Sequence, residues 1–112
     1  RNIIMIFVTL LCLGIQAQTS TFRYTSSEKL PRFEEYQYFT GATGVISHDW
    51  DAATGEGTVV YEGTVTELGS NALQWQGSLT GIVIPEGVTR IGFQGFFQCS
   101  NLTNLTLPKS LK

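Results

Sequence analysis

Shifted by 23 residues, the second half of this chain falls on itself. Val65-Thr66-Glu67-Leu68-Gly69 lies over Val88-Thr89-Arg90-Ile91-Gly92, Leu79-Thr80 over Leu102-Thr103, and Ile82-Val83-Ile84-Pro85 over Leu105-Thr106-Leu107-Pro108. The residue is identical at positions 60, 65, 66, 69, 79, 80 and 85. A weaker match sets Val59-Val60-Tyr61 over Ile82-Val83-Ile84. A fixed period of this length points to a repeat architecture. Each unit is one supersecondary piece that cannot bury its apolar face alone and must stack on its neighbours.

Leu79-x-x-Ile82-x-Ile84 and Leu102-x-x-Leu105-x-Leu107 carry the strand signature of a leucine-rich repeat. Alternation along a strand sends Ile82 and Ile84 inward and Val83 outward. The outward row predicted from this pattern is Thr80, Gly81 and Val83, then Thr103, Asn104 and Thr106, with Thr58 and Val60 contributed by the weaker unit. Pro85 and Pro108 end the strands because proline has no N–H to give a ladder. Ile91-Gly92 and the Phe96–Cys99 stretch form the return side, with Cys99 packed inward as a small apolar residue. About three coils are needed for stability. The weaker unit at 56–61 has Glu56 in place of the first leucine, which suits a capping coil with a more polar outer face. The coil starting at Leu102 has no return side, so further repeats are expected in the intact protein.

Leu79-x-x-Ile82-x-Ile84-Pro85-x-x-Val88-x-x-Ile91-Gly92, followed by Gly95-Phe96-x-x-Cys99-x-x-Leu102, resembles the repeat of BspA-like leucine-rich repeat surface proteins. The family pattern has alanine before the phenylalanine, where this chain has Gly95. The resemblance covers about 58–112. It implies an exported or surface-displayed bacterial protein, and adhesion or interaction with host matrix proteins for the members whose role is assigned.

The other end of the chain reads differently. Arg1-Asn2 precedes thirteen nearly all-apolar residues, Ile3 to Ile15, and then Gln16-Ala17. A membrane-spanning helix needs roughly twenty such residues. A positive head, a short apolar core and a small residue before a polar stretch describe a secretory signal peptide, with cleavage after Ala17. Lipid attachment at Cys12 fits less well, since the bulky Leu11 precedes it. The mature chain would then hold one cysteine, Cys99, and no membrane span. Residues 18–57 are predicted to be a β-rich lead-in and N-terminal cap. Phe22 and Tyr24 alternate as on a half-buried strand, and Pro31 breaks any helix. Gly44–His48 and Thr58–Tyr61 form a hairpin around the glycine-containing turn at 52–57. The fold class expected is a β-rich leucine-rich-repeat solenoid of about 23-residue repeats with a β-hairpin N-terminal cap. The expected divisions are 1–17 signal peptide, 18–57 lead-in and cap, and 58–112 repeats, truncated at the C-terminus.

Composition narrows the function. With 7 Lys+Arg against 9 Asp+Glu, a net charge of -2, the chain lacks the basic footprint of a nucleic-acid binder. A hydrophobic fraction of 42% against 14% charged residues argues against wholesale disorder. The one histidine, His48, lies in the hairpin and Cys99 in a repeat core position, so no nucleophile–base pair is visible. Glu34 and Glu35 are adjacent, and adjacent strand residues point to opposite faces. His48, Asp49, Asp51 and Glu56 fail the calcium-loop pattern, with Ala53 and Thr54 at its fifth and sixth positions. No catalytic residue, metal or cofactor is expected. The reading is an exported, non-catalytic repeat protein whose outward row meets a protein or glycan ligand at a cell surface, with no nucleic acid. The alternative is a structural spacer or cap for a distal domain.

Overall fold

β1 (Thr19–Ser26) decides the architecture, because it is paired along both edges. In the computed structural model, which describes residues 18–112, it lies between β4 (Glu56–Glu62) and β6 (Leu79–Val83), antiparallel to each. The signal-peptide reading of 1–17, with Cys12, falls outside the described residues. β3 (Gly44–Trp50) flanks β4 and β8 (Asn104–Thr106) flanks β6, giving a five-stranded sheet in the order β3-β4-β1-β6-β8. A second sheet runs β2 (Phe39–Thr40), β5 (Glu67–Leu68), β7 (Arg90–Ile91).

The repeat is visible as hydrogen bonding. β5 and β7 pair in parallel, as do β6 and β8, so successive units contribute one strand to each sheet. Thr89 Oγ1 donates to Thr66 O and Thr103 Oγ1 to Thr80 O, each across 23 residues. The turns between the sheets repeat too. Asn71 and Trp75 in one unit, and Gln94 and Gln98 in the next, have left-handed backbones with φ of 66°, 65°, 57° and 60°. The N–H groups of Asn71, Leu73 and Trp75 donate to the carbonyls of Phe93, Gly95 and Phe97 at 2.8–2.9 Å, tying one turn to the other. Ile82 and Ile84 are each 2% exposed while Val83 is 43% exposed, which fixes the inward and outward sides of β6.

The hairpin β3–β4 forms where the sequence predicts it. Asp51 shapes its turn: its carboxylate accepts from Ala53 N–H at 2.8 Å, and its carbonyl accepts from Gly55 N–H at 2.7 Å. Asp51 is thus a turn former. Phe22 and Tyr24 point inward from β1, and Tyr61 from β4. With Phe33 and Phe39 they build an aromatic core in which Phe22 meets Tyr61 edge-on at 5.7 Å and Tyr24 stacks on Phe33 at 4.6 Å. Pro31 opens the 3-10 turn Pro31–Glu34 that delivers Phe33. This aromatic layer continues into the aliphatic layer of the repeats through Leu68, Leu73, Leu79 and Val88.

One expectation fails on topology. The weaker unit at 56–61 does not stack on β6 as an earlier coil; β1 stands between them and β4 runs antiparallel to β1. The alternation of Val59-Val60-Tyr61 suits any half-buried strand, so a 23-residue shift cannot say which neighbour it takes. What selects β1 is the aromatic core, which needs Phe22 and Tyr24 beside Tyr61.

Candidate functional site

The outward face of the five-stranded sheet carries two rows of side chains, each crossing from the lead-in onto the repeats. The register aligns Asp49, Thr58, Arg23, Val83 and Thr106 in one row, and Glu56, Thr25, Gly81 and Asn104 in the other. Between the rows lies an open concavity of about 340 Å³. Gly81 is its floor. A Cβ there would stand 2.7 Å from Thr25 Oγ1 and 3.4 Å from Asn104 Cβ, so a side chain would fill the depression.

A bulge between Thr25 and Ser26 shapes the upper edge. It brings the Thr80 hydroxyl to donate to Thr25 O at 3.0 Å, with the two threonine hydroxyls 2.9 Å apart. The rim holds one cation, Arg23, and one anion, Glu56. The remaining polar groups are threonine hydroxyls and the Asn104 amide, and Val83 offers an exposed apolar surface. Such a face can pair with a backbone amide, a carboxylate or a hydroxyl while covering a small apolar group.

Of the row read from the sequence, Thr58, Gly81, Val83, Asn104 and Thr106 line the concavity. Three residues stand apart from it. Thr80 spends its hydroxyl on β1, Thr103 turns its own to Thr80 O at 3.3 Å, and Val60 lies opposite Thr21 further along β4. Arg23, Thr25 and Glu56 line the site and were not foreseen. Alternation around Phe22 and Tyr24 already placed Arg23 and Thr25 on an outward face. Nothing in the sequence placed that face beside Val83.

The chemistry-bearing residues lie elsewhere. Leu30 N–H donates to Tyr24 Oη at 3.4 Å, His48 Nδ1–H donates to the carboxylate oxygen Glu34 Oε2 at 2.9 Å, and the Tyr24 hydroxyl shares a hydrogen bond with His48 Nε2 at 2.6 Å. Both ring nitrogens of His48 are therefore engaged. Burial pushes the Tyr24 phenol up against the lowering effect of the Leu30 N–H, and the Glu34 charge adds to the rise. Glu35 turns to Arg32, not to Glu34's partners. The Cys99 thiol donates to Leu73 O at 2.9 Å, and burial raises it against the opposing Gln76 backbone hydrogen bond. Among the described residues, no three His, Cys, Asp or Glu side chains converge as a metal site would require. Nor, among them, is any helix long and apolar enough to cross a membrane.

Comparison with known families gives one match. The family described as BspA type leucine rich repeat region (6 copies) covers residues 62–112. The match begins at the end of β4 and takes in β5 to β8, the part in which strands pair in parallel. No curated protein and no solved structure matches the chain.

Proposed function

Because residues 62–112 match the family described as BspA type leucine rich repeat region, we propose that this chain is an exported, non-catalytic protein that binds a protein ligand at a cell surface. In this reading the repeats are coils of a solenoid. β1, β3 and β4 form its N-terminal cap, residues 1–17 direct export, and the ligand sits on the concavity over Gly81. One observation carries the proposal: the concavity is continuous across β4, β1, β6 and β8. Cap and repeats supply it jointly, because β1 lies between β4 and β6. Repeat proteins use such extended faces for protein recognition.

The test combines location and binding. Protease added to intact cells of the native host should remove the protein, and its mature N-terminus should be Gln18. Surface biotinylation followed by cross-linking should capture a partner that Gly81→Val loses and Val60→Thr keeps. A protein retained inside the cell with Arg1 still attached contradicts the reading.

A spacer role has one observation in its favour. The hydroxyls of Thr80 and Thr103, both in the outward row, are directed to neighbouring strands of the sheet. If Gly81→Val leaves every captured partner in place while surface display persists, the spacer reading is the correct one.

A further inference from the structure

The turns between the two sheets carry an aromatic surface that shares no residue with the concavity. Trp75 is 63% exposed, and Phe97 of the next unit is 40% exposed. Their rings meet edge-on, with centroids 5.5 Å apart and planes at 86°. The backbone holds this arrangement, since Trp75 N–H donates to Phe97 O at 2.8 Å. Phe93 lies in the same turn as Phe97 and is also exposed.

The fold does not ask for tryptophan here. The unit requires a left-handed residue at this position, and the next unit meets the same need with Gln98 at φ 60°. A bulky side chain in that region is unusual and strained by roughly 1 kcal/mol or more. Trp75 therefore sits at an unfavourable backbone position with most of its ring in water, where glutamine serves the fold. Large exposed aromatics of this kind mark binding surfaces.

The surrounding sequence says what would bind. From Leu68 to Pro85, and again from Ile91 to Pro108, there is no Asp, Glu, Lys or Arg. The polar side chains next in sequence to Trp75 and Phe97 are amides, Gln74, Gln76 and Gln98, and Asn101 follows in the same stretch. Gln76 Nε2 donates to Gln74 O at 3.0 Å and Asn101 Nδ2 to Gly77 O at 2.8 Å, which fixes both amides. Charge reaches this stretch through Glu28, whose carboxylate accepts from Ser78 Oγ at 2.7 Å, so an anionic ligand meets repulsion there. A neutral sugar finds a flat ring for its C–H face and amides that both donate to and accept from its hydroxyls. We infer that Trp75 and Phe97, with these amides, form a binding platform for a neutral glycan.

The full chain is titrated with neutral oligosaccharides (gluco-, manno- and galacto-hexaoses), and with sialylated and sulfated glycans and phosphatidylcholine vesicles as competitors for the assignment. A Trp50→Phe background leaves Trp75 as the only fluorophore of its kind, since the chain has two tryptophans. At least one neutral oligosaccharide is expected to shift the Trp75 emission to the blue at saturating concentration. Trp75→Gln, which copies the residue of the next unit and keeps the urea midpoint, is expected to lower that affinity roughly ten-fold by isothermal titration calorimetry, which needs no tryptophan reporter, as loss of a stacked aromatic anchor does. Binding unchanged in Trp75→Gln, binding only to charged glycans or vesicles, or no binding to any neutral oligosaccharide overturns the assignment.

Discussion

Gly57 lies directly opposite Tyr24 in the β1–β4 ladder, and a Cβ at position 57 would fall 2.3 Å from Tyr24 Cζ. The phenol of Tyr24 occupies the space a side chain would need, and from there its hydroxyl reaches His48 at 2.6 Å. Gly57→Ala is therefore expected to destabilise the protein by about 1–3 kcal/mol, the range for overpacking a filled core. A urea melt measures it. Restored stability in Gly57→Ala with Tyr24→Leu would show that the clash is with this ring.

Ile84 and Val83 are neighbours in sequence on opposite sides of the sheet. Ile84→Asp buries an unpaired charge and is expected to cost more than about 3 kcal/mol. Val83→Asp leaves its carboxylate in water near Arg23 and is expected to stay within about 0.5 kcal/mol of the parent. Equal losses in a urea melt would refute this register of β6.

The Tyr61 hydroxyl donates to Phe33 O at 2.5 Å inside the aromatic core. Burial drives its phenol far above the usual tyrosine value of 10.0, and the nearby Tyr24 and Glu34 add to the rise. The folded state therefore keeps the proton while the unfolded chain releases it above pH 10. Stability from this group is complete below pH 10 and falls as the pH rises beyond it, by at most about 1.4 kcal/mol per pH unit for one group. Tyr61→Phe is expected to lose about 1 kcal/mol at pH 7 and to flatten the alkaline decline. A decline of the same slope in Tyr61→Phe would contradict the assignment.

Glu67 and Arg90 form an ion pair between successive units. The pair is exposed, with the Arg90 side chain largely in water. Arg90→Ala is expected to change unfolding stability by less than about 1 kcal/mol, and less still at high salt. A larger loss in guanidinium-free thermal melts would mean that this pair carries the stacking of the units.

The repeats were legible because their signal is redundant. Seven identities at one offset, two prolines and two L-x-x-L-x-L patterns all set β6 beside β8, and the Gly44–His48 hairpin followed from glycine placement and β-branched runs. The partner of β1 was not legible. Phe22 and Tyr24 announced a half-buried strand but not its neighbours, since alternation is the same whichever strand lies alongside. For the same reason alternation marked Gly81, Val83, Asn104 and Thr106 as lying on one face, and the extension of that face through Arg23 and Thr25 was missed. The left-handed turn positions were also hidden. They are filled by Asn71, Trp75, Gln94 and Gln98, with no glycine to advertise them. His48 read as a hairpin residue among acids, and only the folded packing turns it toward Tyr24 and Glu34.

The pairing of Arg23 with Val83 builds the face on which the functional proposal rests. Cysteines placed at these two positions, in a Cys12→Ser and Cys99→Ser background, test it directly. Residues opposite one another in an antiparallel pair have Cβ atoms about 4.5–5.5 Å apart, close enough to join with slight adjustment. Mild oxidation should give an intrachain disulfide with Arg23→Cys and Val83→Cys, and none with Val60→Cys and Val83→Cys, since β1 separates β4 from β6. A disulfide from the second pair and not the first would place β4 against β6, and the face shared by β4, β1, β6 and β8 would not exist.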